Sequence, residues 1–202
     1  MNFFKKYKKI LIISCCVLVV GILGAYFGYK YVESTLPNLI TVNDYDPLLV
    51  TQVYDRNGKK IGEFFRERRV LVPFSQIPKM VVDAFLAAED DQFYKHEGIN
   101  YLAIMRATFA NLRAGKNVQG GSTITQQVAK TLLLSSEKTY LRKVKEALLA
   151  QKMEEHLSKE DILYLYLNQI YFGQSAYGIE LAAQTYFRKP AKNLTLAEAA
   201  IL

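Results

Sequence analysis

Between Ala88 and Gln127 this chain concentrates the side chains best suited to chemistry. Three consecutive carboxylates, Glu89, Asp90 and Asp91, are followed by Phe93, His96 and Gly98. A second group holds Gly120, Gly121, Ser122, Thr123 and Thr125, then Gln126, Gln127 and Lys130. Crowded carboxylates raise the proton affinity of one of their number, and a carboxylate tuned upward is a better general base at neutral pH. The turn rich in glycine and hydroxyls adds backbone and side-chain donors. Together they suit an enzyme site for an anionic, hydroxylated substrate. Further on, Arg142, Lys143 and Glu146 stand at helical spacing. Arg142 and Glu146 share a helix face, which fits a plain surface ion pair as well as a second carboxylate held among cations. Lys130, Arg142 and Lys143 together suit a diphosphate, arginine as a bidentate fork and lysine as a point charge.

Other chemistries find no support. His96 and His156 are the only histidines and the chain body has no cysteine, so no zinc site is expected. His96 is expected to brace the acidic turn through a hydrogen bond. The Gly120-Gly121 pair lacks the Gly-Lys-Ser/Thr ending of a P-loop, and no G-x-S-x-G is present for serine hydrolysis. The aromatic residues of YLYLNQIYF recur at helical spacing and read as core.

These residues need elements to hold them. From Pro78 onward the pattern is helical. One helix carries the stripe Met80, Val81, Ala84, Phe85 and Ala88 to Glu89, with Pro78 at its first position. A second runs from an Asn100 cap through Leu112 and stops at Gly115. A third starts in or just after STITQQ and reaches Leu134, and a fourth spans Tyr140 to Leu157. Ser158 and Asp161 form a capping box for a fifth that ends at Gly173. A sixth lies around Gly178 to Tyr186. Thr195 with Glu198 caps a seventh that the end of the sequence cuts off, and that cap explains Thr195 better than the Asn193-Leu194-Thr195 glycosylation pattern does.

Ahead of the helices, Asn57-Gly58 between two alternating runs signals a β-hairpin. Arg66–Arg69 reads as a charged edge leading into a short strand at Val70-Leu71-Val72. At the N-terminus, Lys5, Lys6, Lys8 and Lys9 precede an uncharged run from Ile10 to Tyr29, about 30 Å as a helix and so one bilayer core. The lysines predict a cytoplasmic N-terminus with the remainder exported, and Tyr26, Tyr29 and Tyr31 at the outer interface. The run is long for a cleaved signal peptide and no A-x-A site follows, so an uncleaved anchor is expected. Cys15 and Cys16, adjacent within that run, do not suit a structural disulfide. The net charge of +7 favours anionic partners.

Five blocks carry a family resemblance: EDDQFYKHEG, QGGSTITQQ, RKVKEALLA, ILYLYLNQIYFG and AAQTYFRKPAKNLTLAEAAIL. In this order they resemble the peptidoglycan glycosyltransferase domain, glycosyltransferase family 51. The VYDRNGKKIGEF hairpin and ERRVLVPFSQIP resemble the connector of class A, bifunctional penicillin-binding proteins. The resemblance implies a mainly α, lysozyme-like domain at 76–202 with a membrane-proximal jaw, here C-terminally truncated. A cytoplasmic tail (1–9), a transmembrane anchor (10–29) and a β-hairpin-containing connector (30–75) would precede it, and a transpeptidase domain would follow.

The implied reaction polymerises lipid II into β-1,4-linked glycan with release of undecaprenyl diphosphate. By family match Glu89 is the general base and Glu146 the second carboxylate. Asp90, Ser122, Gln126, Gln127, Lys130, Arg142 and Lys143 bind substrate. Phe93, His96, Gly98, Gly120, Gly121 and Asn168 belong to the structural part of the motifs. A divalent cation such as magnesium assists the leaving group in some members, while others manage with Lys and Arg; no organic cofactor is implied. Expected partners are lipid II, the nascent glycan strand, the bacterial inner membrane and other cell-wall synthesis proteins, with no nucleic acid. A glycan-cleaving lysozyme-like enzyme and an inert membrane-tethered recruiting module are the competing readings. The second carboxylate and the cations around it speak against the first, and intact Glu89 and Glu146 against the second.

Overall fold

The computed structural model describes residues 2–135 and 139–202, and of residues 2–6, 9 and 10 only the backbone. The Lys5, Lys6 and Lys9 side chains, on which the cytoplasmic tail was expected to rest, lie outside the described residues. The first helix, α1 (Asn2–Ser34), extends past the apolar run at both ends. The lysines before the run are good helix formers, and no proline occurs before Pro37. Within it Leu11–Ser34 is long and apolar enough to cross a membrane, with no residue buried against the rest of the chain, which fits a membrane anchor. Its C-terminal end rests on α5 (Tyr140–His156): Lys145 Nζ donates to the Thr35 carbonyl at 3.4 Å, and Lys152 faces Glu33 at 3.7 Å.

The expected hairpin forms as β1 (Thr51–Tyr54) and β2 (Lys60–Phe64), antiparallel, with Gln52 opposite Glu63 and a bulge after Val53. Asn57-Gly58 does not make a two-residue turn. Asp55 Oδ1 accepts from the amides of Asn57 and Lys59, both at 2.8 Å, and Gly58 takes the left-handed φ of 78°. The result is a three-residue loop with its glycine in the left-handed position.

The strand expected at Val70–Val72 does not form. Only Arg68–Arg69 (β3) is a strand, and it runs parallel to β4 (Ala176–Tyr177). Val72 is instead held by one side chain. Asn168, fully buried, accepts from the Val72 amide (2.9 Å) and donates to the Val72 carbonyl (3.1 Å), doing the work of a neighbouring strand. The Asn168 carbonyl in turn accepts from Nε of buried Arg69 at 2.9 Å. That guanidinium also reaches the Leu48 carbonyl and Glu67, and lies over the Tyr177 ring. A Cβ on Gly178 would come within 2.8 Å of the same Asn168 carbonyl, so this crossing admits only glycine without a shift.

The helices match the sequence pattern closely: α2 (Lys79–Glu89), α3 (Tyr101–Ala114), α4 (Ile124–Leu133), α5, α6 (Lys159–Gln169), α7 (Ile179–Phe187) and α8 (Leu196–Ile201). Pro78 caps α2 from one position outside, and the buried stripe is Val81, Val82, Phe85 and Leu86, with Met80 turned outward. Helix α6 stops at Gln169, four residues before Gly173. The chain reverses through Gly173, Gln174 and Ser175, all at positive φ, and the Ile170 carbonyl accepts from Gly178 at 2.8 Å. The core centres on α4, whose Ile124, Val128 and Ala129 pack with Leu149 and Met153 of α5 and with Ile162, Leu163, Leu165 and Leu167 of α6. This mainly helical architecture, with its apolar N-terminal helix and small hairpin, agrees with the fold class the sequence implies.

Two outcomes follow from these contacts. Asn168→Leu strands the Val72 amide and carbonyl in the core and is expected to destabilise the fold by about 3 kcal/mol in urea unfolding. Lys189, then the amide and hydroxyl of Thr195, pull the Glu198 carboxyl from 4.5 down to about 2. A carboxylate lowered in the fold stabilises it above its unfolded pKa, and the gain disappears as pH falls through the folded value. Glu198→Gln should therefore melt below wild type near neutral pH, and the two melting curves should converge as pH falls from 4.5 to about 2.

Candidate active site

The acidic turn opens where α2 runs out. Asp90 breaks the helix with φ −159° and carries its side chain inward, 5% exposed. Its carboxylate meets His96 Nε2 at 3.0 and 2.9 Å and accepts from the Ile124 amide at 3.0 Å. His96 thus braces the turn as expected. Asp90 lines the cavity described below with its oxygens engaged by the protein, and it ties the end of α2 to the first turn of α4. Phe93, 1% exposed, packs edge-on to the His96 ring beneath Lys159, whose ammonium lies 4.4 Å from the Phe93 centroid and donates to the His96 carbonyl at 2.8 Å.

Gly98 completes the turn. Its φ is 84°, and a Cβ there would fall 2.7 Å from the Ala150 carbonyl group in α5. Its own carbonyl accepts from Thr123 Oγ1 at 2.6 Å. Thr123 also caps α4 in a reciprocal box with Gln126, whose amide oxygen accepts from the Thr123 amide at 3.0 Å. Gln126 was expected to bind substrate. It is 3% exposed and spends its oxygen on the cap, so its first task is to start α4. The T-x-x-Q spacing of a capping box was present in the sequence. Gly121 lets this segment approach α3, because a Cβ would lie 3.0 Å from Ile104 Cα, whereas the space beside Gly120 is open.

These elements enclose a cavity of about 710 Å³. Glu89 lines it, exposed and accepting from Gln127 Nε2 at 2.9 Å. Glu146 lines it from α5, 1% exposed, with one oxygen bonded to Arg142 Nη1 and the other to Lys143 Nζ at 2.6 Å. Lys143 also reaches Ser122 Oγ at 2.8 Å. The Arg142–Glu146 pair is therefore a buried wall of the cavity and not a solvated surface pair. Lys130 projects from α4 with no hydrogen-bond partner among the described residues. Two further contributors escaped the sequence reading. Arg106 of α3 lines the cavity, and a lone arginine on an exposed helix face carries no local signal. Asn111 fixes the rim, its Oδ1 accepting from the Val118 and Gln119 amides.

The lining is not uniformly basic. Arg106, Lys130, Arg142 and Lys143 face Glu89, Asp90, Asp91 and Glu146, four charges of each sign. The carboxylates of Asp90 and Glu146 are satisfied by the protein itself, whereas Lys130 is unpaired. What the cavity offers a ligand is two half-free carboxylates, Glu89 and Asp91, together with cations.

A profile of the transglycosylase family matches residues 57–202. The chain belongs to the transglycosylase family. Penicillin-binding proteins 1A are among its relatives. That of Vibrio cholerae serotype O1 is 42% identical over 198 residues, 98% of this chain and 24% of that protein. That of Escherichia coli K12 is also 42% identical over 198 residues, 98% of this chain and 23% of that protein. That of Neisseria flavescens is 50% identical over 167 residues, 83% of this chain and 21% of that protein. The chain thus spans about a quarter of the length of the curated relatives it matches. The resemblance to glycosyltransferase family 51, of the penicillin-binding protein 1A type, is borne out.

Within this transglycosylase domain Asp90 joins three segments, so Asp90→Ala should cost about 3 kcal/mol of stability. Hydrogen exchange at the Ile124 amide should accelerate along with it. An unchanged Ile124 exchange rate would show that another group holds the start of α4.

Proposed function

We propose that this domain polymerises lipid II into β-1,4-linked glycan strands for the bacterial cell wall. The observation that carries the reading is that Glu89 and Glu146, 57 positions apart in sequence, line one cavity together with Lys130, Arg142 and Lys143.

In this mechanism Glu89 is the general base. As the 4-hydroxyl oxygen of the acceptor sugar attacks the anomeric carbon of the donor, its proton passes to Glu89. The bond from that carbon to the diphosphate oxygen breaks with inversion, and undecaprenyl diphosphate leaves with the electron pair. Negative charge grows on the leaving group, and donors already in place stabilise it without reorganising. Lys130 is unpaired and available for this. Glu146 holds Arg142 and Lys143 in position, and both residues line the same cavity. Gln127 orients Glu89, and Ser122 orients Lys143.

Magnesium does not find a ready ligand set. Among the described residues no three His, Cys, Asp or Glu side chains gather to hold a metal, and Asp90 and Glu146 already give their oxygens to protein donors.

A lipid-linked substrate suits a site next to a bilayer, because anchoring enzyme and substrate in one membrane raises their effective concentration. The docking of α1 on α5, the helix that carries Glu146, supports a cavity facing the membrane surface. In this reading α1 crosses the inner membrane once, with the N-terminus cytoplasmic and the domain outside. A penicillin-sensitive transpeptidase in the remainder of the full-length protein, and partners among other wall-synthesis proteins, complete the proposal.

Incubation of the full-length protein with lipid II is expected to yield polymer, and Glu89→Gln to reduce the rate at least a hundredfold. Shortened strands from purified sacculi, with no polymer from lipid II, would replace synthesis by cleavage. Glu89→Gln should still bind a phosphoglycolipid inhibitor of the moenomycin type, because the cations remain. Lys130→Ala and Arg142→Ala should each weaken that binding about tenfold or more. Wild-type affinity in both alanine variants would place the diphosphate elsewhere.

A further inference from the structure

Helix α3 and the rim that follows it form one wall of the cavity, and little of either is buried. Ala107 is the one buried residue of α3 among the described residues. Ala103 and Arg106 line the cavity from α3, and Val118, Gln119 and Gly121 line it from the rim. Between them the chain leaves the helix at Gly115, left-handed with φ 64°. Among the described residues no backbone–backbone hydrogen bond holds residues 116–121. One side chain holds them instead. Asn111, in the last turn of α3, accepts at Oδ1 from the amides of Val118 (2.7 Å) and Gln119 (3.0 Å), and its Nδ2 donates to the Gln119 carbonyl at 3.0 Å. The three bonds need an acceptor that takes two N–H groups with a donor beside it, at this length. Aspartate offers the acceptor alone, alanine offers neither, and glutamine is one methylene longer. Asparagine is a poor helix former, so the stability of α3 gives no reason for it here. Just past the rim, a Cβ on Gly121 would come within 3.0 Å of Ile104 Cα, and Ser122 Oγ accepts from Lys143 at 2.8 Å.

We propose that Asn111 is a positioning residue for substrate binding: it clasps the rim to α3, so that the two present one fixed wall to the lipid-linked sugar and Ser122 is delivered to Lys143. The inference rests on the glycosyltransferase reading of the site. Asn111 does not itself line the cavity, so its effect passes through the rim. Without the clasp the three backbone groups turn to water, and residues 116–121 gain conformations that a ligand has to remove again. That loss falls equally on the bound ground state and on the transition state. It raises KM and leaves kcat unchanged.

The test compares Asn111→Ala and Asn111→Asp with wild type in the full-length protein, by the kinetics of lipid II polymerisation and by amide hydrogen exchange. For Asn111→Ala the expected results are a KM raised about tenfold and a kcat within about twofold of wild type. Exchange at Val118 and Gln119 should quicken, while exchange at Val128 in the core of α4 stays as it was. Asn111→Asp keeps an acceptor for both amides, so it should recover their protection and most of the lost KM. Asn111→Ala with the wild-type KM would overturn the proposal, whatever its exchange rates. So would an Asn111→Asp as impaired as Asn111→Ala, or an Asn111→Ala in which Val128 exchange quickens in step with Val118, the mark of a fold loosened as a whole. Wild-type protein that makes no polymer would overturn the functional reading itself, and shows before either variant is compared.

Discussion

The carboxylate of Asp90 is the joint on which the site depends. It leaves α2 directly after Glu89, meets His96 six residues later, and accepts from the first amide of α4. An ionised acceptor at a helix N-terminus is favoured both by the free amides and by the helix dipole. Here that local preference fixes a long-range relation. With α4 pinned to the acidic turn, Gln127 and Lys130 come to the same side of the helix as Glu89, and Gln127 reaches the Glu89 carboxylate. Gly98, pressed on Ala150, then sets the turn against α5, so that Glu146 faces the same space. One carboxylate organises the cavity that a second, Glu89, lines.

Glu146 is held differently. Its charge is nearly inaccessible to water, a state that costs several kcal/mol unless the carboxylate is paired and fully hydrogen-bonded. Arg142 and Lys143 supply both conditions, and both come from the preceding turn of the same helix. The arrangement is local and needs no distant partner to form. It fixes two cations at the cavity wall, where freely rotating surface side chains would lose entropy on meeting a ligand. Electrostatic stabilisation of a leaving group relies on donors fixed in advance in this way.

The sequence made much of this legible because the relevant signals were local. Capping residues at Asn100, Ser158 and Thr195 marked helix starts that the fold keeps. The spacing of Arg142, Lys143 and Glu146 foretold their mutual contact. What stayed hidden depended on contacts between distant segments. Nothing near Val70–Val72 shows that Asn168, almost a hundred residues later, would replace a strand partner. The His96 brace was expected, but nothing near Asp90 shows that the same carboxylate also takes the Ile124 amide, 34 residues on. Arg106 enters the cavity only because Gly121 lets its segment lie against α3.

The most direct measurement of the central claim is a crystal structure of the full-length protein with undecaprenyl diphosphate bound. The expected result is a diphosphate in contact with Lys130 and Arg142, with the Glu89 carboxylate across the cavity and free of it. A diphosphate bound outside this cavity, with Lys130 and Arg142 untouched, would contradict it.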